Sequence, residues 1–135
     1  MYKNEKIINP RVIVIQKLYA HFLNKDSEIN FPKHRYKKFI KDVVTGTIER
    51  KELIQNLIDN ELEKNINKKK TELIVKLMIM AAIYEFMFMH KIPVKVIIAE
   101  YLKVSDSFVA SSQKNFLNAI LDKASKISRV TDVIN

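Results

Sequence analysis

The most informative stretch of the sequence is ELIVKLMIMAAIYEFMFM, residues Glu72–Met89. It is apolar on nearly every face of a helix, which is typical of a helix surrounded by other elements. Lys76 and Glu85 interrupt the apolar run, and Leu73–Met89 only borders on the length of a membrane span. We therefore predict a central, buried helix in a protein that does not span a membrane.

Composition extends this helical prediction to the whole chain of 135 residues. One glycine and three prolines are too few for hairpins, β-sandwiches or phosphate-binding loops. Without cysteine there is no disulfide framework, thiolate metal site or cysteine nucleophile. We expect a single all-α domain over residues 1–135, frayed at 1–8 and 129–135. The start of the chain lacks the apolar region of a secretory signal, so we expect a cytoplasmic location.

Four further helical segments are predicted, two before the central helix in the sequence and two after it. The first is predicted from Asn9-Pro10 to about Asn24, because asparagine caps and proline suits the first turn. A long or kinked helix follows from Lys33 to about Asn65. The last two are predicted to begin at Ile92-Pro93 and after Ser111-Ser112, where serine can cap.

Spacing within these segments indicates which residues are buried. In the first helix we expect a core stripe of Val14, Ile15, Leu18 and Phe22, with Arg11 reaching water. Gly46 lies inside the long helix, where glycine costs about 1 kcal/mol relative to alanine. We expect either a kink or, preferably, a close helix crossing there.

The charge distribution favours a polyanionic partner. The net charge is +9, from 24 basic and 15 acidic residues, and the first fifty residues carry +6 of it. Lysine, isoleucine and asparagine together make up 50 residues, however, as an AT-rich coding sequence gives without selection for binding. Nucleic acid is the first partner to consider.

Motifs for catalysis are absent from the sequence. His21, His34 and His90 fall in separate segments, none at metal-ligand spacing with another ligand. There is no phosphate-binding glycine loop, nucleophile elbow or dinucleotide fingerprint. We therefore predict a protein that is not an enzyme and uses no cofactor or metal. Glu85 is expected to be a structural carboxylate, with Lys76 or Tyr84 as its partner.

Basic residues near aromatic ones remain as candidate binding groups. Lys3, Lys6 and Arg11 precede or open a helix that carries Tyr19, which would let cations hold phosphates beside a ring for base stacking. That mixture suits single-stranded RNA. The plain alternative is solvated lysines beside a core tyrosine, and spacing alone leaves the two equally favoured.

Five segments, in order, resemble the bacterial transcription antitermination factor NusB family. They cover roughly residues 9 to 124 and comprise Arg11 with Gln16–Tyr19, Phe39 with Val43–Ile48, Ala82–Phe86, Ile92–Val96 and Phe116–Asp122. Each segment alone is weakly diagnostic. Their shared order, separations and glycine placement make the resemblance specific.

The resemblance implies six to seven helices in two packed helical subdomains. It also implies binding to the boxA element of ribosomal RNA leader transcripts with NusE, a small-subunit ribosomal protein, in the RNA polymerase antitermination complex. By position, Arg11 matches a basic residue of the family's RNA face, Tyr19 lies near RNA and NusE, and Phe116 lies on the other side of that face. We add Lys3, Lys6 and Lys114 from charge and proximity.

Departures from the family pattern keep alternatives open. The family's leading arginine cluster is reduced to Arg11 plus lysines, which predicts weaker or less selective RNA binding. One alternative is an accessory module of the kind fused to ribosomal RNA cytosine methyltransferases, and another is a protein-interaction adaptor without RNA. A homodimer through the apolar faces also stays open. The RNA hypothesis requires the leading lysines and the turn before Phe116 to converge into one cationic patch.

Overall fold

The computed structural model describes residues 7–62 and 72–129, except for the side chain at position 61. These two ranges contain six α-helices: α1 (Pro10–Leu23), α2 (Lys37–Glu49), α3 (Lys51–Leu57), α4 (Leu73–Phe88), α5 (Val94–Phe108) and α6 (Lys114–Ser128). A π-helical segment, Ile58–Leu62, continues α3, and a 3₁₀ turn, Ser111–Gln113, precedes α6. No strand occurs in either range, so the predicted all-α class is confirmed.

Helix α4 is the centre of the fold. It contacts each of the other five α-helices, and every residue from Leu77 to Phe86 is buried. Helices α1 to α3 pack on one side as one half of the domain, and α5 and α6 form the other half. The predicted central helix is therefore confirmed. Within the described part of the chain, no helix combines the length and apolar character needed to cross a membrane.

The first helix begins where the sequence predicts. The Asn9 side-chain oxygen accepts a hydrogen bond from the Arg11 backbone N–H at 2.9 Å, and Pro10 occupies the first helical position. Val14, Ile15 and Leu18 are fully buried, as predicted, whereas Phe22, the fourth residue of the predicted stripe, is only partly buried against the core. The core stripe of α1 thus follows from its sequence.

The predicted long helix is kinked. It begins at Lys37 rather than Lys33 and bends at Arg50, whose φ and ψ of −107° and 22° separate α2 from α3. The predicted end at Asn65 lies outside the described residues. The helix continues unbroken through Gly46, where an added Cβ would overlap the ring of Tyr84. Gly46 therefore marks a close crossing of α2 and α4, as preferred from the sequence.

The start of α6 differs from the prediction. Ser111 and Ser112 lie in the 3₁₀ turn, and no side-chain bond caps the first turn of α6. A backbone hydrogen bond of the 3₁₀ turn is present instead: the Gln113 N–H donates to the Ala110 carbonyl at 2.9 Å. The predicted serine cap is therefore wrong. The predicted fraying at 1–8 and 129–135 stays a prediction, since all of those residues except 7, 8 and 129 lie outside the described ranges.

Candidate functional site

Three helices meet at a buried polar cluster formed by Arg11, Glu85 and Tyr101. The guanidinium of Arg11 donates from Nε to Oε2 of Glu85 at 3.0 Å and from Nη2 to Oε1 at 2.6 Å. The Tyr101 hydroxyl donates to Oε2 of Glu85 at 2.5 Å. The Arg11–Glu85–Tyr101 cluster therefore joins α1, α4 and α5 through one carboxylate.

The expectation that Arg11 reaches water is wrong. Its side chain is 10% exposed, and its guanidinium lies 4.7 Å from the Phe39 ring centroid and 5.7 Å from that of Tyr101. Glu85 is structural, as predicted, but neither Lys76 nor Tyr84 is its partner. The predicted partners are near Glu85 in the sequence or next to it, whereas helix packing brings its actual partner, Arg11, from 74 positions away.

Electrostatics keep the Arg11 guanidinium and the Tyr101 hydroxyl protonated. Burial lowers the pKa of Arg11, but the hydrogen bonds and charge of Glu85 outweigh it and leave that pKa above its ordinary value. Burial, together with the Glu85 charge, raises the pKa of the Tyr101 hydroxyl well above its ordinary value. Arg11 therefore stays charged and Tyr101 stays a hydrogen-bond donor over the physiological range.

Arg129 binds the same region of α4 from the opposite half. Its guanidinium donates to the carbonyls of Phe86 and Ile92 at 2.8 Å and to those of Glu85 and Met89 at 3.2 Å. The last carbonyls of a helix lack intrahelical partners and carry the negative end of its dipole. Arg129 thus caps the C-terminus of α4. The sequence gives no motif for this role.

A second polar group lies at the crossing of α2 and α4. The Tyr84 hydroxyl donates to Asp42 at 2.8 Å, and the guanidinium of Arg50 lies 4.3 Å from the ring centroid of Phe88. Burial and the Asp42 hydrogen bond raise the pKa of Tyr84 to about 12. No sequence motif predicts this group, although the lone glycine, Gly46, marks its position.

The predicted RNA-binding residues have different environments. Tyr19 is 36% exposed on α1, consistent with a surface role. The Nζ of Lys114 lies 2.8 Å from Asp106, and Phe116 is half-buried against the core. Lys3 and Lys6 lie outside the described residues.

Helix α5 contacts the starts of both α1 and α6. Arg11, at the start of α1, contacts Tyr101 in the middle of α5. Lys114, at the start of α6, contacts Asp106 near the end of α5. Whether the leading lysines and the turn before Phe116 form one patch stays a prediction, because those lysines are not described.

His34, which is not predicted to bind a metal, has a structural role. The Nε2 of His34 lies 2.7 Å from the Ile8 carbonyl, and its Nδ1 accepts the Tyr36 N–H at 2.9 Å. Since Nδ1 accepts, Nε2 carries the proton and donates. His34 thus ties the chain preceding α1 to the loop before α2. Among residues 7–62 and 72–129, no three histidine or acidic side chains are grouped to hold a metal ion.

These features define an all-helical domain in which two packed halves share α4 and a buried Arg–Glu pair fixes the start of α1. The NusB family model matches residues 8–126. The chain belongs to the NusB family.

Comparison with known proteins agrees with this assignment. The transcription antitermination protein NusB of Bradyrhizobium diazoefficiens is 29% identical over 104 residues, which cover 77% of this chain and 63% of that protein. The NusB of Nitrobacter winogradskyi is 31% identical over 88 residues, covering 65% and 55%. The matched part therefore spans less than two thirds of the length of either relative.

A solved structure shares the fold. T. maritima NusB superimposes with a TM-score of 0.76 at 22% sequence identity, and the match covers 96% of this chain and 99% of that one. The arrangement of two helical halves around α4 is therefore the NusB fold, as the resemblance implied.

Proposed function

We propose that this protein is an RNA-binding transcription antitermination factor. It binds the boxA element of ribosomal RNA leader transcripts together with NusE, in the RNA polymerase antitermination complex, and performs no catalysis. The observation that carries the proposal is the family match over residues 8–126, together with relatives named transcription antitermination protein. The net charge of +9 supports a polyanionic partner.

The proposed RNA face comprises Lys3, Lys6, Tyr19, Lys114 and Phe116. Cations near an exposed ring allow phosphates to be neutralised while a base stacks. The ion pair of Lys114 with Asp106 is exposed, so an RNA phosphate can replace the carboxylate at small cost.

Arg11 is proposed to act on this face as a positioning residue. Its guanidinium is occupied by Glu85 in the buried cluster. That contact, with the His34 hydrogen bond to Ile8, fixes the point from which the chain leaves α1 toward Lys3 and Lys6. RNA contact by the Arg11 guanidinium itself would require breaking a buried ion pair, which is costly.

The outer side of α1 is proposed to bind NusE. Tyr19 and Leu23 are one helical turn apart, and they are 36% and 63% exposed, with the exposed Ala20 between them. An exposed apolar stripe on a helix otherwise packed against the core is typical of a protein-binding surface. The family match favours NusE over a second copy of the chain as its occupant, and sedimentation equilibrium distinguishes the two.

The test is an RNA titration of the full chain with labelled boxA RNA and a scrambled control, with and without NusE. If the three lysines of the proposed face neutralise phosphates of a single strand, log affinity should fall against log salt with a slope near −2. NusE should increase affinity for boxA more than for the control. The double variant Lys3→Gln/Lys6→Gln should reduce the slope by about 1.4.

The matched control is Lys103→Gln/Lys126→Gln, which removes the same charge from exposed ion pairs on α5 and α6. It should lower the slope by less than the first pair. Equal binding of boxA and scrambled RNA under all conditions would overturn the proposal. Unchanged RNA retention in Lys3→Glu/Lys6→Glu, with NusE binding intact, would favour the protein-interaction or accessory module instead.

A further inference from the structure

A shallow groove runs between α2 and the C-terminal half of α4, on residues that the proposed RNA face does not use. Its first part has a volume of about 440 Å³ and is lined by Lys38, Lys41, Gly46 and Arg50, among others. A second part of about 390 Å³ shares Asp42 with it and reaches Phe88, Lys91 and Ile92. The two parts form one continuous surface along the crossing of the helices.

An exposed ring lies at the end of this groove. Phe88 is 42% exposed at the last position of α4, and the guanidinium of Arg50 lies 4.3 Å from its ring centroid. The missing side chain of Gly46 allows the Tyr84 ring to lie across α2, so the floor of the groove is aromatic as well. An exposed aromatic ring beside an arginine is the arrangement on which unpaired bases stack.

The groove carries an excess of positive charge. Lys38, Lys41 and Arg50 line its first part, and Lys91 lines its second. Both carboxylates of the groove have partners: Asp42 accepts the Tyr84 hydroxyl, and Glu49 lies 3.7 Å from Arg50. The lysines at positions 38 and 41 face the same side of α2, one turn apart, and both are exposed.

Arg129 offsets the partial negative charge at the C-terminus of α4, which would otherwise repel a phosphate. A helix C-terminus repels anions through its unpaired carbonyls. Here the Arg129 guanidinium donates to the carbonyls of Glu85, Phe86 and Met89, which precede or flank Phe88. A phosphate near Phe88 therefore meets capped carbonyls.

We propose that this groove is a second binding surface for single-stranded RNA, with a base stacked on Phe88 beside Arg50 and phosphates held by Lys38 and Lys41. The proposal rests on the proposed RNA-binding function and extends it to a separate part of the chain. Charge complementarity selects RNA as the occupant, because four cationic side chains line the groove and Phe88 is the one exposed large apolar side chain among its lining residues.

One end of the groove lies near the start of α1. Lys38 immediately precedes Phe39, over whose ring the guanidinium of Arg11 lies. From Phe39 to Arg50, α2 rises by about 16 Å. Lys38, Lys41 and Arg50 therefore form a basic track along α2, between the start of α1 and Phe88.

The first experiment measures affinity for an unstructured, uridine-rich RNA by fluorescence anisotropy at several salt concentrations. Phe88→Ala should weaken binding about tenfold, within the range reported for loss of one stacked base. The matched control is Leu73→Ala, which truncates a similarly exposed side chain, 37% against 42%, at the opposite end of α4. The control should bind as wild type does, and thermal melts should show both variants folded.

The second experiment tests the phosphate contacts and the location. Lys38→Gln/Lys41→Gln should reduce the salt slope by about 1.4, while Lys103→Gln/Lys126→Gln should change it less. RNA carrying 4-thiouridine should crosslink on irradiation to the peptide containing Phe88, and the crosslink should disappear in Phe88→Ala.

The outcomes separate the two proposals. If the wild type binds RNA but the groove variants bind equally well and no crosslink forms near Phe88, the groove proposal is overturned and the proposed function stands. If the wild type binds no RNA, both are overturned. If Phe88→Ala weakens only NusE binding, the groove is a protein-docking surface and the RNA proposal for it is wrong.

Discussion

The guanidinium of Arg11 and the carboxylate of Glu85, 74 positions apart in the sequence, form two hydrogen bonds of 3.0 and 2.6 Å inside the core. The Glu85 side chain is fully buried, so its charge has no solvent to stabilise it. The Tyr101 hydroxyl supplies a third hydrogen bond. The orientation of α1 on α4 thus depends on a contact between charged groups as well as on apolar packing.

Removal of Arg11 should destabilise the protein strongly. Arg11→Met leaves the buried Glu85 charge unpaired, and breaking a buried ion pair in this way costs about 3–5 kcal/mol. The free energy of unfolding from urea denaturation measures the loss. A loss below about 1 kcal/mol would contradict the role given to the pair.

A double variant provides the control. Arg11→Met/Glu85→Leu removes both charges, and replacing a buried pair by apolar side chains is often neutral or stabilising. The double variant should therefore be more stable than Arg11→Met alone, giving a coupling energy in the double-mutant cycle. Additive losses would show that the two groups act independently.

Replacing Gly46 by alanine should change the free energy of unfolding in the direction opposite to that expected from helix propensity. In an exposed helix, Gly→Ala stabilises by about 1 kcal/mol. At Gly46 the new Cβ would overlap the Tyr84 ring, so Gly46→Ala should destabilise by about 1–3 kcal/mol. Urea denaturation measures the change. Gly46→Ala in a Tyr84→Ala background should lose its penalty, and a stabilised Gly46→Ala single variant would show that α2 and α4 are not tightly crossed.

Local chemistry in the sequence predicted the helices and the crossing, but not the polar contacts between helices. Residue type alone indicates the environment of the mainly apolar Leu73–Met89 run, of the Asn9 cap and of the isolated Gly46. It does not do so for Arg11, because an arginine in a first helical turn is equally compatible with water and with a buried carboxylate. Its partner Glu85 is determined by how α1 packs on α4, which periodicity does not encode.

Two further residues illustrate the same limit. Arg129 follows the last helical residue, where fraying is the usual expectation, yet its side chain reaches four carbonyls around the end of α4. In the sequence, Phe88 is one more apolar residue of the central run. It is the last residue of α4, however, and it is 42% exposed there. In both cases the environment depends on where neighbouring helices end.

Alkaline pH should destabilise the fold partly through Tyr84. Its pKa is raised from 10.0 to about 12 by burial and by the Asp42 hydrogen bond. Because the folded-state pKa is the higher one, the protonated hydroxyl stabilises the fold fully below about pH 10, and this contribution is lost as pH rises toward 12. Urea midpoints at pH 9, 10 and 11 should fall less steeply in Tyr84→Phe than in the wild type. Tyr36→Phe, which removes an exposed hydroxyl, is the control, and identical slopes for all three proteins would contradict the assignment.

Truncation of Arg129 should loosen the end of α4. Arg129→Ala leaves the carbonyls of Phe86, Met89 and Ile92 without their charged donor, and hydrogen bonds to charged groups contribute about 1.5–3 kcal/mol. We expect a loss of about 2–3 kcal/mol in the free energy of unfolding. Hydrogen exchange should accelerate at the amides around Met89, while those near Leu77 in the middle of α4 stay protected.

A variant of a nearby lysine, Lys126, distinguishes this capping role from a general effect of surface charge. Lys126 lies on the last turn of α6 and forms an exposed ion pair with Asp122 at 3.1 Å. Lys126→Ala should therefore cost only about 0.5 kcal/mol and leave the exchange at Met89 unchanged. Arg129→Lys retains the charge but not the planar fork that reaches several carbonyls, so it should recover little of the lost stability. Full recovery by lysine would mean that the charge, rather than the hydrogen bonds to α4, is what stabilises this end of the helix.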